Sequence, residues 1–390
     1  MIGAPNESQR TEAELIDPLV TRVDAAMHVA IERFVARAPE PDHPWLSAIY
    51  AAIYDYPRNG GKRMHALAQL LAFRTAGGAD DEILPIAAGF QLYHHHTLVH
   101  DDVYDEDVER RGSPTIHAAL GRWLAACGQA GSTDSRLFAG SLQRRAALGA
   151  FAHGKIIHAL AFETICAAPF PAARLLPFLR AMAEHDVWDS AGQMKDLFHE
   201  GAEHTDADAI AIAELKTARL FATGVHGAAV LAGAQGARAE ALTAWIRCVA
   251  TAYQLMDDLA DLDAESEKGK GRGVGSDIAY AKPTFLVATA LRLAGRREAA
   301  ELRTSLAEPE QPGAIARALG VIAASGAVGV CRTRIDELIE EGLAALCRAR
   351  PVFDEEHVDE LARMSRYFLS PRYWNRALPA ARDPLAGASR

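Results

Sequence analysis

Residues 81–106 read DEILPIAAGFQLYHHHTLVHDDVYDE. Apolar side chains recur here at helical spacing, without the strict alternation of a half-buried strand, so the stretch predicts one long helix. Its last turns change character. Phe90, His94, Thr97, Asp101 and Asp105 fall on roughly one face, so an apolar stripe runs directly into carboxylates. Such a wall fits a deep cavity with a charged mouth, suited to a greasy molecule with an anionic head. The same run offers two kinds of metal ligand. The imidazoles of residues 94–96 and His100 would suit zinc, whereas Asp101, Asp102 and Asp105, hard oxygen donors in a DDxxD pattern, would suit Mg²⁺ and a phosphorylated substrate.

The pattern repeats along the chain. Residues 13–38, 209–234 and 240–265 also carry apolar residues at helical spacing, and the last of these ends in a second DDxxD, Asp257, Asp258 and Asp261. Three carboxylates at this spacing repel one another unless a cation neutralises them. Two copies after apolar stripes favour carboxylate ligation by Mg²⁺ over imidazole ligation. Ala and Leu abound, no βαβ alternation is present, and glycine or proline punctuates the chain at 56–61, 110–115 and 267–276. The expected fold is all-α, a single large helical bundle over residues 1–390. Its catalytic core is placed at 20–366, a weakly ordered tail at 367–390, and a loop or insertion at 127–145.

Composition narrows the function. The chain has 390 residues, 49% of them hydrophobic, and a net charge of −10, the opposite of the basic field that drives general nucleic-acid binding. Its five cysteines form no CxxC pair, which argues against a zinc ribbon and fits a reducing compartment. No apolar run approaches the roughly 18 residues of a membrane span, and the first residues lack the basic start and apolar core of a signal peptide. A cytoplasmic protein that is not integral to a membrane is expected. GKGRGVGS at 269–276 fails the dinucleotide-binding spacing, and no P-loop or HExxH is present.

The cations gather beside glycine turns and acidic motifs: Lys62 and Arg63 after a Gly-Gly turn, Arg110 and Arg111 after the first acidic cluster, then Lys216, Arg272 and Lys282. Arginine clamps phosphate oxygens in pairs and lysine acts as a point charge. Six segments in order, GGKRMH (60–65), HDDVYDEDVERRGSPTIH (100–117), GQMKDL (192–197), LKTARLF (215–221), YQLMDDLADL (253–262) and GRGVGSDIAYAKPT (271–284), resemble the motifs of the trans-isoprenyl diphosphate synthases, the polyprenyl synthetase family.

That resemblance implies an all-α bundle of isoprenoid synthase type around a central cavity, as a homodimer. It implies a Mg²⁺-dependent prenyltransferase that condenses an allylic diphosphate with isopentenyl diphosphate. Asp101, Asp102 and Asp105, with Asp257, Asp258 and Asp261, would bind three Mg²⁺ around the allylic diphosphate. Arg110, Lys216, Lys282 and Arg272 would contact that diphosphate. Lys62, Arg63, His65, His94 and Arg111 would hold isopentenyl diphosphate, and Thr217 and Gln254 would line the reacting region. Diphosphate leaves only when its developing charge is neutralised, so metal and preorganised cations replace a protein nucleophile.

The chain departs from the family pattern at several places. His65 stands where the family has a second arginine, Ala66 replaces a proline, and Gly154-Lys155 stands for Gly-Asp. These changes spare the allylic side and weaken the isopentenyl side. His96 and Thr97 precede the first aspartate where chain length is set. With no large aromatic pair there, a product of roughly fifteen to twenty carbons is expected, each buried CH₂ being worth about 0.8 kcal/mol. Two alternatives remain: a relative that cyclises the cation or prenylates another acceptor, favoured by His65, and a non-catalytic partner subunit, disfavoured by two complete acidic motifs.

Overall fold

The computed structural model describes residues 12–55, 60–128, 140–199, 204–263, 273–349 and 353–370. The all-α expectation holds: the described residues are helical except for one short hairpin and the connecting turns. The described residues divide into two compact units, one built from those up to Leu70 and from Ala79–Phe170, the other from Leu71–Gly78 and from Pro171 to Ser370.

The first unit centres on α4 (Asp80–Tyr104), the helix read from residues 81–106, which packs on α6 (Ser141–Cys166) and α1 (Glu12–Val35). α2 (Pro44–Asp55) lies against α1, and α5 (Ile116–Ala126) against α6. The α4 residues Ile83, Ile86, Ala87, Ala88, Phe90, Leu92 and Tyr93 are buried on every side, as the centre of a bundle requires. Gly89 lets α6 approach: a Cβ there would sit 2.7 Å from Ile165 and 3.0 Å from the Ala161 carbonyl. α3 (Met64–Thr75) begins just after the Gly-Gly turn.

The hairpin was not foreseen. β1 (Glu109–Arg110) pairs antiparallel with β2 (Ser113–Pro114), and the turn residues Arg111 (φ 55°) and Gly112 (φ 74°) are both left-handed. Two successive positive φ values are what a two-residue hairpin turn demands, and only the glycine takes its place without strain.

The second unit is organised on α10 (Ala237–Ala260), which packs against α9 (Arg219–Leu231), α12 (Phe285–Leu293) and α15 (Ala327–Cys347). Trp245 is fully buried and donates its indole N–H to Ser365 Oγ at 2.9 Å, tying α10 to α16 (Glu355–Phe368). α7 (Ala172–His199) meets α9 where a Cβ on Gly227 would overlap the Phe178 ring. α8 (Asp206–Ala213) starts at a capping box on Thr205 and Asp208 and runs into a π-helical turn, Glu214–Ala218. α11 (Ser276–Ala279), α13 (Arg296–Ala307) and α14 (Ala314–Ser325) complete the unit. Among the described residues no single helix is long and apolar enough to cross a membrane. The bent pair α14–α15 meets that test by composition, and buries Val321, Ile322, Cys331, Ile335 and Leu338 within its own unit.

Candidate active site

In the first unit, burial falls along one face of α4: Phe90 is inside, while His94, Thr97, Asp101 and Asp105 are each partly exposed. The stripe therefore does run from core to rim. Thr97 turns its hydroxyl back to donate to the His94 carbonyl at 2.9 Å. The three aspartates divide. Asp101 and Asp105 share the outward face, and Asp102 is completely buried. Its Oδ1 accepts from Arg110 Nε at 2.5 Å, across to the hairpin. The Arg110 guanidinium also lies 3.9 Å from Asp107, a buried carboxylate that sequence reading passed over. Arg110 is thus seated beside the acidic rim by two carboxylates.

The Gly-Gly turn and the hairpin form a second cluster. Arg63 is buried, binds Asp24 of α1 at 2.6 Å and donates to the Gly60 carbonyl at 2.6 Å. Arg111 donates to that same carbonyl at 2.7 Å. A Cβ on Gly61 would lie 2.5 Å from Arg111 and 2.7 Å from Arg63 and push those guanidinium groups aside, and φ 127° is itself a conformation that favours glycine. Arg63 and Arg111 both adopt φ 55°, a conformation that side chains rarely take. Arg63 therefore serves inward as a brace for the turn, with Asp24 as the partner that the sequence did not suggest. Lys62 stays partly exposed beside it. The His65 ring lies on the His94 ring, centroids 3.9 Å apart. Burial, then His65, push His94 well below the usual histidine range, and burial does the same to His95 with help from Arg63 and Arg111.

Behind the rim, His96 is buried and its Nδ1 lies 2.5 Å from the Tyr93 carbonyl. Its ring meets Tyr93, His100 and His158 edge-on, at 4.8, 5.3 and 4.7 Å. Gly154 makes room for His100, since a Cβ there would sit 2.5 Å from its Nε2. Lys155, at the position of the expected family aspartate, is exposed.

In the second unit, Lys216 sits in the π-helical turn, and its Nζ contacts Asp196 of α7 at 2.5 Å. The wider turn re-aims the side chain, and π-turns inside helices mark functional positions. Gly192 allows this approach, because a Cβ there would meet Leu215 at 3.0 Å and the Lys216 stem at 3.1 Å. Asp196 lay within the quoted GQMKDL segment, yet its tie to Lys216 is a long-range fact that spacing could not supply. Thr217 donates to Gln254 Oε1 at 2.8 Å, and the Gln254 amide reaches Asp258 at 3.3 Å. The LKTARLF and second DDxxD segments are thereby joined.

The second acidic motif also divides. Asp257 is partly exposed, and Asp258 and Asp261 are buried. Asp261 Oδ1 accepts from Ser276 N at 3.0 Å and Ser276 Oγ at 2.5 Å, and Oδ2 accepts from Asp277 N at 3.1 Å. The Gly275 N–H donates to the Asp261 carbonyl at 3.0 Å. Asp261 thus anchors the glycine loop and the first turn of α11. Lys282 follows on that loop, partly exposed, its N–H bound to the Asp277 carbonyl at 2.8 Å. Arg272 and the tail from residue 371 lie outside the described residues.

Each unit therefore presents a helix whose acidic end keeps a partly exposed carboxylate, Asp101 and Asp105 near the seated Arg110 in the first and Asp257 in the second. Hard oxygen donors in partly wet positions fit Mg²⁺, which retains waters and shares phosphate oxygens. An all-α fold with two such helix ends is the class of isoprenoid synthases. The polyprenyl synthetase family model matches residues 45–138 and 139–322, and the chain belongs to that family of trans-prenyltransferases. The geranylfarnesyl diphosphate synthase of Aeropyrum pernix is 29% identical over 317 residues, 80% of this chain and 90% of that one. The octaprenyl diphosphate synthase of Haemophilus influenzae is 27% identical over 290 residues, 74% of this chain and 79% of that one. The fold matches the crystal structure of geranylgeranyl pyrophosphate synthase from Corynebacterium glutamicum, complexed with isoprenyl diphosphate and magnesium, at a TM-score of 0.80. That match has 24% identity and covers 93% of this chain and 99% of the other.

Proposed function

We propose that the chain condenses an allylic diphosphate with isopentenyl diphosphate, in a Mg²⁺-dependent reaction, to give a product of roughly fifteen to twenty carbons. The observation that supports it is the division of both acidic motifs into outward and inward carboxylates. Asp101, Asp105 and Asp257 are the groups that would hold metal directly. Asp102, Asp258 and Asp261 seat Arg110, Gln254 and the glycine loop, so they act on the site through other residues. When bound, three Mg²⁺ would supply charge neutralisation on the leaving diphosphate. Arg110, Lys216 and Lys282, with Arg272, would complement the same developing charge. Lys62, His65, His94 and Arg111 hold the second diphosphate, with Arg63 as the brace beneath them. Thr217 and Gln254 orient the reacting region, and His96 with Thr97 limits the chain.

A homodimer is part of this reading. On α7, Leu176, Val187, Met194 and Phe198 are exposed and fall on one face of the helix, an apolar stripe that a second copy would cover. The assignments are tested by Mg²⁺ titrations of turnover. Asp101→Asn, Asp105→Asn and Asp257→Asn should each raise the Mg²⁺ requirement at least tenfold, whereas Asp102→Asn should lower turnover without moving it. Equal shifts across all four variants would sink the division of roles.

A further inference from the structure

The contacting rings of His65 and His94, tilted 33° to each other, stand among cations. The groups that act on His94 are His65, His95 of α4, and Arg111 and Arg110 of the hairpin, and Arg63 of the Gly-Gly turn acts with Arg111 on the adjoining His95. The nearby carboxylate of α1, Asp24, is engaged by Arg63, and Asp102 is engaged by Arg110. Phe90 closes the inner side, its ring centroid 6.4 Å from that of His65. Two imidazoles in contact cannot both carry charge in such a field. An anion placed on them reverses the local potential, and a shared proton then becomes favourable.

We propose that the His65–His94 pair is a proton-coupled anion clamp: the second diphosphate binds together with about one proton taken up by the pair. This rests on the acceptor assignment above and goes beyond it. An arginine at position 65 would bind with a permanent charge. A histidine pair makes affinity a function of pH, strong where the bound pair holds its proton and weak where it does not. The low proton affinity of His94 in the free protein agrees, since burial and His65 already disfavour its charged form. Between the pKa of the free pair and that of the bound pair, affinity should fall with rising pH by up to about tenfold per pH unit, the limit for one linked proton, and it should level off above the pKa of the bound pair.

Isothermal titration calorimetry of the full chain with isopentenyl diphosphate, in Pipes and in Tris at one pH, counts protons taken up on binding. The protonation of the free ligand is the same for every variant. Wild type should take up about one proton more than His65→Arg, and its KM for isopentenyl diphosphate should rise several-fold from pH 7 to pH 9. The KM of His65→Arg should stay nearly flat over that range. His94→Gln should bind more weakly and lose the excess uptake. Equal proton counts and parallel pH profiles in wild type and His65→Arg would overturn the clamp while leaving the condensation intact. A chain that binds isopentenyl diphosphate in no variant, yet still ionises the allylic substrate, would instead overturn the acceptor assignment and the clamp with it.

Discussion

Replacing Asp261 by Asn separates a loop anchor from a metal ligand. The carboxylate accepts three hydrogen bonds from Ser276 and Asp277, and Asp261 is buried. Asparagine retains one oxygen, so the Ser276 bonds can persist, now to a neutral acceptor. Its amide then faces the Asp277 N–H, donor against donor. Losing charge assistance costs about 1 kcal/mol, and leaving a buried N–H without an acceptor costs about 1–3 kcal/mol, roughly 3 kcal/mol together. For a unit of about 200 residues, each kcal/mol lowers Tm by about 2–4 °C, so the metal-free variant should melt about 6–12 °C below wild type. Asp257→Asn, at a partly exposed position, should cost less than about 1 kcal/mol and lose Mg²⁺-dependent turnover instead. Differential scanning calorimetry in EDTA reads the first effect, and turnover against Mg²⁺ reads the second. Should Asp261→Asn melt with wild type in EDTA, the anchor argument is wrong.

Other outcomes follow from the same contacts. Gly61→Val places a side chain against Arg63 and Arg111, so it should lower Tm and raise the isopentenyl diphosphate KM at least tenfold. An unchanged KM would show that the turn does not position the second substrate. Asp196→Asn releases Lys216 from its seat and should cut kcat about 10–100-fold with little change in either KM, checked by steady-state kinetics. Histidines at 117, 153 and 185 have pKa values lowered by burial to about 4, 3 and 4. The unfolded chain binds those protons first, so stability is complete above pH 6.5 and falls as pH drops toward 4. For His153 alone the slope is about 1.4 kcal/mol per pH unit, and urea unfolding of His153→Leu should show a shallower pH dependence. His96→Ala removes a ring packed on Tyr93, His100 and His158 and should lengthen the product by one five-carbon unit, read by chromatography.

The helical core was legible because its signal is local. The stripe from Phe90 to Asp105 predicts both α4 and its gradient of burial, and the two DDxxD motifs fall at helix ends where the pattern placed them. What spacing cannot carry is the inward or outward sense of adjacent carboxylates. Asp101 and Asp102 are neighbours in sequence, yet only the arrival of Arg110 from the hairpin explains why one is buried. Asp24, lying far from the glycine turn in sequence, gave no sign that it neutralises Arg63. The hairpin shows in the sequence only as a turn signal at 110–115, since two paired residues per strand leave no alternation to detect. The π-helical turn at Lys216 likewise leaves no trace in composition, because it depends on Gly192 and Asp196 of another helix.

Under the proposed function the chain elongates an allylic diphosphate, with His65 and His94 at the proposed second diphosphate site. The most direct test of elongation incubates the full chain with Mg²⁺, an allylic diphosphate and labelled isopentenyl diphosphate, then identifies the products by mass spectrometry. Elongation gives a labelled isoprenyl diphosphate longer than the allylic substrate by whole five-carbon units. An unlabelled hydrocarbon or alcohol derived from the allylic substrate alone would contradict it.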